Sequence, residues 1–274
     1  MPELPEVQGV INSLKDILPG KIIQEVEIRQ PSIVNHREDL PFLLPGNRIL
    51  GFRRRGKYIL LDLTAGTLLI HLRMTGKLLY EGVADRHCHV RFAFEDGSWL
   101  WYKDVRKFGR ILYFDNEAAL QAHLSGKVGI EPMEMSEMDF LGVFGHARGS
   151  LKKVLLDQRL VAGIGNIYAD EILFRSRLHP LMEAESLSRK QQKTLYLAIR
   201  EVLGEALAAG GSTIRDYADA TGSPGAYQEE HAVYGRSSQP CIHCAATLRK
   251  TVVAGRTTVF CPACQRKRGG RKGI

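Results

Sequence analysis

CIHCAATLRKTVVAGRTTVFCPAC, residues 241–264, holds four of the chain's five cysteines as two Cys-x2-Cys pairs with sixteen residues between them. Each pair can put two thiolates on one tetrahedral zinc, and the spacing fits the four-cysteine pattern. The segment therefore predicts one structural Zn2+ on Cys241, Cys244, Cys261 and Cys264. Disulfides are the poorer alternative in a reducing cytosol. Four thiolates leave no open coordination position, so the metal folds the module and does no chemistry. Between the pairs, KTVVAGRTTVF reads as a β-hairpin with Ala254-Gly255-Arg256 at its tip, presenting Arg256 away from the metal. Cys88 is left as an ordinary free thiol.

Charge gathers around the same segment. Residues 231–274 contain nine Lys/Arg and no acid, leaving 29 basic against 30 acidic residues elsewhere, so the net +8 sits entirely in this block. Such a block reads as a phosphate-binding surface, with a solubilising tail as the plainer alternative.

Upstream of the zinc segment the pattern is helical. Ser188, with Gln191 three residues on, predicts a capped helix whose apolar face is Leu195, Ile199, Val202, Leu203 and Ala206, ended by Gly210-Gly211. Two shorter helices, LKKVLLDQRLV and GNIYADEILFRSR, flank a Gly163–Gly165 turn and resemble a helix-turn-helix pair. SGKVGIEPMEMSE (125–137) reads as a linker. From Ile22 to Phe114 the runs are short and β-rich: KIIQEVEIR, NRILGF, KYILLDL, TLLIHL, HVRFAFE, SWLWYK and RILYF, with a turn at Asp96-Gly97. These predict an antiparallel sandwich or barrel. One helix precedes it, from Pro5 to a stop at Pro19-Gly20. No apolar run approaches the ~18 residues of a membrane span. The opening MPELPEVQGV has no basic n-region of a signal peptide, and the expectation is a cytoplasmic protein.

Seven further motifs occur in order along the chain: MPELPE (1–6), RGK (55–57), HLRM (71–74), DVRKFG (104–109), GIGNIY (163–168), GGST (210–213) and VYGR (233–236). Together with the zinc segment they resemble formamidopyrimidine-DNA glycosylase, the bacterial enzyme that removes oxidised purines. The resemblance implies an α+β multidomain fold: an N-terminal β-sandwich with a leading helix (1–125), a linker (126–137), a helix-two-turn-helix domain with a lesion-recognition loop (138–225), a zinc-finger β-hairpin (226–266) and a basic tail (267–274). It implies damaged double-stranded DNA as partner, a monomer, and no organic cofactor.

The resemblance makes Pro2 the nucleophile once Met1 is removed, and Glu3 the neighbouring acid/base. An α-amino group has a pKa of about 8, so a useful fraction is unprotonated at neutral pH. A secondary amine can attack C1′, expel the base and leave an iminium, from which β,δ-elimination follows. Lys57 and Arg256 carry over as catalytic contacts to the sugar-phosphate at the lesion. His71, Asn166 and Tyr234 match backbone-holding positions, and His89 and Arg148 are expected to touch DNA as well. A flipped base leaves a hole that must be filled, and Met74, Arg106 and Phe108 match the inserted residues. The loop through TGSPGAYQEEH is expected to close over the extruded base. Gln8, Tyr227, His231 and Thr75 depart from common family residues around the base and leave the lesion range open. Two other readings stand beside the first: an endonuclease VIII-like enzyme for oxidised pyrimidines, and a non-catalytic lesion-binding zinc protein.

Overall fold

The computed structural model describes residues 1–214 and 217–267, so the expected basic tail lies outside the described residues beyond Lys267. Helix α1 spans Leu4–Leu14, with Pro5 in the first turn and Leu4, Val7, Val10, Ile11 and Leu14 buried. A proline there loses no helical hydrogen bond. The helix ends short of the expected stop at Pro19-Gly20. Ile17 and Leu18 both donate to the Leu14 carbonyl at 3.0 Å, turning the chain before the proline is reached.

Eight strands follow: β1 Ile23–Ile28, β2 Ile49–Arg55, β3 Tyr58–Leu63, β4 Thr67–His71, β5 Gly76–Tyr80, β6 Cys88–Phe94, β7 Trp99–Asp104 and β8 Arg110–Phe114. They form two antiparallel four-stranded sheets, ordered β1-β6-β7-β5 and β2-β3-β4-β8. Val26, Phe92, Leu78 and Tyr102 from one sheet join Ile59, Leu61, Leu68 and Ile70 from the other in one buried cluster, which also takes the apolar face of α1. Truncating such a leucine to alanine costs about 2–5 kcal/mol. Strand β5 was not among the expected runs. It starts on a glycine and buries only Gly76 and Leu78 of its five residues, so its pattern is too thin to read.

Three short helices were also not expected: α2 Leu40–Leu43, α3 Glu117–Leu124 and α4 Glu137–Gly145. Asn116 caps α3 through Ala119 N–H at 2.9 Å, and Ser136 and Asp139 form a reciprocal box at the start of α4. The remaining helices are α5 Leu151–Leu156, α6 Asn166–Arg175 and α7 Arg189–Ala208. The Ser188–Gln191 box at the start of α7 forms as expected: Gln191 N–H donates to Ser188 Oγ and Ser188 N–H to Gln191 Oε1. The C-terminal hairpin is β9 Arg249–Val253 with β10 Arg256–Phe260.

The chain divides into two compact units. One comprises Met1–Lys127 with Ala206–Gln228, the other Val128–Glu205 with Glu229–Ile274. The loop expected in the helical domain thus belongs with the sandwich. Ala220 explains it: buried in the sandwich core, it accepts from Tyr80 N–H at 3.0 Å and donates to Ser13 Oγ at 3.1 Å.

Candidate active site

Within the sandwich unit the N-terminus is tightly anchored. Glu3 is the N-cap of α1 and only 2% exposed, and its N–H donates to the Glu6 carboxylate at 2.8 Å. The other Glu6 oxygen accepts from Ser212 N–H at 2.7 Å, and Tyr217 Oη donates to the Glu6 carbonyl at 3.0 Å. One buried carboxylate therefore ties the first helical turn to the GGST motif more than 200 residues away in the chain. At Gly211, with φ +83°, an added Cβ would lie 2.7 Å from Glu6 Oε1, so only glycine fits. Pro2 is half-buried, one residue before this anchor.

Lys57 lies in the turn between β2 and β3 and is buried. Across the sheet, Tyr58 pairs with His71, and their rings meet edge-on at 4.7 Å. Arg73 N–H donates to His71 Nδ1 at 2.9 Å, which leaves the imidazole proton on Nε2. Burial, reinforced by the positive charges of Arg73 and Lys57, lowers the His71 pKa to about 3. His71 is thus a neutral Nε2–H donor at physiological pH.

The other expected residues of this unit stand on two neighbouring loops, between β4 and β5 and between β7 and β8. Met74 (42% exposed) and Phe108 (48%) project from them, and Arg106 reaches both. Its Nη1 lies 3.0 Å from Met74 Sδ, and its guanidinium carbon lies 4.6 Å from the Phe108 ring centre. The three side chains form one exposed cluster. His89, on β6, is buried, and its Nε2 lies 2.8 Å from the Asp104 carbonyl at the start of the 104–109 loop.

In the second unit, α5 and α6 are joined by a loop that Gln158 staples: its amide accepts from Gly163 N–H at 2.9 Å and donates to the Ile164 carbonyl at 2.7 Å. Asn166 opens α6. Its Nδ2 donates to the Thr257 carbonyl at 3.1 Å, while its Oδ1 is buried with no partner among the described residues. Lys152 donates to the same carbonyl at 3.2 Å and to Asp170 Oδ1 at 2.6 Å; Asp170 Oδ2 accepts from Val259 N–H at 3.0 Å. Removing one partner of such a fully buried ion pair costs about 3–5 kcal/mol. Strand β10 is thereby clamped one residue beyond the exposed Arg256. Ala254 and Gly255, with φ of 50° and 70°, close the hairpin as the left-handed two-residue turn that matches strand twist. Glu171 accepts from the N–H groups of Ala232, Val233 and Tyr234 at 2.8–3.0 Å, fixing the VYGR motif, and the Tyr234 ring meets His231 at 5.5 Å. Arg148 is exposed just after α4. Sequence reasoning passed over Lys152, Asp170 and Glu171. The signal available was two adjacent acids in the otherwise apolar face of NIYADEIL.

The four cysteine sulfurs lie within 4.8 Å of one another, with neighbouring pairs at 3.5–3.9 Å. A tetrahedron of thiolates about 2.3 Å from zinc has edges of about 3.8 Å, so the donor set fits the ion. Backbone N–H groups of His243 and Cys264 point at Cys241 and Cys261 Sγ at 3.4 Å, as expected around anionic sulfur. Cys241 and Cys261 also join Phe174, Val233, Leu248 and Val259 in one small apolar core.

Three family descriptions match the chain in order: the formamidopyrimidine-DNA glycosylase N-terminal domain over residues 1–111, the formamidopyrimidine-DNA glycosylase H2TH domain over 128–218, and the zinc finger found in FPG and IleRS over 238–266. A Bacillus cereus formamidopyrimidine-DNA glycosylase is 43% identical over 97% of this chain and 99% of its own length. Among solved structures, a mutant Lactococcus lactis FPG bound to DNA containing Fapy-dG superposes with a TM-score of 0.91 at 37% identity, covering 97% of this chain and all of that one. The Lactococcus lactis Fpg complex with abasic-site DNA gives 0.90 at 38% identity with the same coverage. The chain belongs to the formamidopyrimidine-DNA glycosylase family, zinc-finger enzymes of base excision repair with DNA glycosylase and AP lyase activity.

Proposed function

We propose that this chain excises oxidised purines, formamidopyrimidines and 8-oxoguanine opposite cytosine, from duplex DNA and then cleaves the strand by β,δ-elimination. The observation that carries the reading is the end of α1, where Pro2 precedes a buried Glu3 whose backbone Glu6 holds. With Met1 removed, the Pro2 nitrogen attacks C1′. The glycosidic bond breaks and its electron pair leaves with the base, which takes up a proton. Glu3 protonates the ring oxygen as the sugar opens to an iminium on Pro2. Loss of a C2′ proton expels the 3′ phosphate, and a second elimination expels the 5′ phosphate.

Lys57 and Arg256 ground the sugar-phosphate at the lesion, and the neutral Nε2–H of His71 donates to backbone phosphate. Asn166, Tyr234 and Arg148 add backbone contacts from the second unit. Met74, Arg106 and Phe108 fill the space left by the flipped nucleotide. The purine range is supported by the Lactococcus lactis relative bound to Fapy-dG, and the lyase step by its abasic-site complex. A duplex with one 8-oxoguanine opposite cytosine tests the proposal on a denaturing gel. The expected product is a one-nucleotide gap with phosphate on both flanks. Cleavage that stops after loss of the 3′ phosphate would remove the δ step.

A further inference from the structure

We infer that Thr75 ties the two wedge-bearing loops together through Asp104, and thereby sets how strongly the enzyme distinguishes the base opposite the lesion. The inference rests on reading Met74, Arg106 and Phe108 as the inserted wedge. Thr75 directly follows Met74 and is half-buried. Its hydroxyl donates to Asp104 Oδ1 and accepts from Arg106 N–H at 3.1 Å. The same Asp104 oxygen accepts from Arg106 N–H at 3.2 Å, and Oδ2 accepts from Gly109 N–H at 2.8 Å. Asp104 is fully buried, so these donors are what holds its carboxylate in the folded chain. Met74 thus connects through Thr75 and Asp104 to Arg106, and through the rest of the loop to Phe108.

The loops have no slack on their inner side. Both press on the buried Tyr102 hydroxyl, which has no hydrogen-bond partner among the described residues. A Cβ at Gly109 would lie 1.6 Å from that oxygen, and one at Gly76 2.6 Å. The ladders fix the ends of the two loops, at Gly76↔Asp104 and His71↔Arg110, and the Thr75 bridge ties together the turns that lie beyond those ends. Arg106 can read an orphaned base only if its donors arrive within the narrow range of a hydrogen bond, 2.7–3.2 Å. Loosening the bridge leaves phosphate contacts intact and spoils this placement. The loss falls on discrimination between opposite bases. Thr75 is a positioning residue, acting through Arg106.

The test is single-turnover base excision by the full zinc-loaded chain on two duplexes, 8-oxoguanine opposite cytosine and opposite adenine. It compares the wild type with Thr75→Val, Thr75→Ala and Thr75→Ser. Loss of one hydrogen bond to a charged group predicts that Thr75→Val and Thr75→Ala lower the cytosine-over-adenine rate ratio about tenfold, equivalent to about 1.4 kcal/mol. Thr75→Ser, which keeps the hydroxyl, is expected to restore the ratio to within about twofold. Valine adds a methyl where alanine only trims atoms, so agreement of the two separates loss of the bridge from misfolding. A fall in both rates with an unchanged ratio, or a serine variant as impaired as alanine, overturns the inference and leaves the functional reading standing. A wild type that cuts neither duplex overturns both.

Discussion

His71 is held neutral by its surroundings, and that has a measurable consequence for stability. Its folded pKa is about 3, while an unfolded histidine titrates near 6.5. Between those values the unfolded chain binds a proton that the folded chain refuses. Stability contributed here is complete above pH 6.5 and is lost as pH falls toward 3, by up to about 1.4 kcal/mol per pH unit. His71→Gln should flatten the acid-side fall by as much as one proton, read from urea unfolding between pH 4.5 and 6.5. Parallel curves for the two proteins would show that His71 titrates normally. His231, also lowered by burial, to about 4, adds a similar slope that the variant leaves in place. At this scale the sequence was a good guide to which residues matter and a poor one to their state. HLRM marks His71, but only the Arg73 amide and the burial fix its tautomer and charge.

Elements with strong local signals were legible. The zinc hairpin, the Ser188 cap and seven of the eight strands could be read because each signal lies within a few residues. Strand β5 and helices α2 to α4 could not, since each is short and its hydrophobic pattern incomplete. The hairpin is also where metal and fold are inseparable. Cys241 and Cys261 are both zinc ligands and core residues beside Phe174 and Val259. Cys244→Ser, the most exposed ligand, removes one thiolate without emptying that core. It should lower bound zinc well below about one equivalent and loosen the hairpin that carries Arg256. Elemental analysis with hydrogen exchange across residues 249–260 reads both effects. Full zinc and unchanged protection would mean that three sulfurs suffice.

At the scale of the whole molecule, the chain passes between its two units after residues 127, 205 and 228. The return of residues 206–228 to the sandwich was not readable from sequence. The contacts that recruit it, Ser212 to Glu6 and Ala220 to Ser13, join residues more than 200 positions apart, and no local pattern encodes such a pairing. What the motifs did convey was order: every one of them falls within or beside the family descriptions that match the chain. The same Glu6 that recruits the loop also anchors the residue after Pro2, so the loop and the proposed nucleophile share one support. In the proposed function this shared support serves covalent catalysis by Pro2. Borohydride reduction during reaction with a duplex carrying 8-oxoguanine opposite cytosine, followed by mass spectrometry of the linked peptide, tests it most directly. A reduced adduct on Pro2, in protein that has lost Met1, is the predicted result. An adduct on Lys57 or another lysine, or none from protein shown to begin at Pro2, would contradict it.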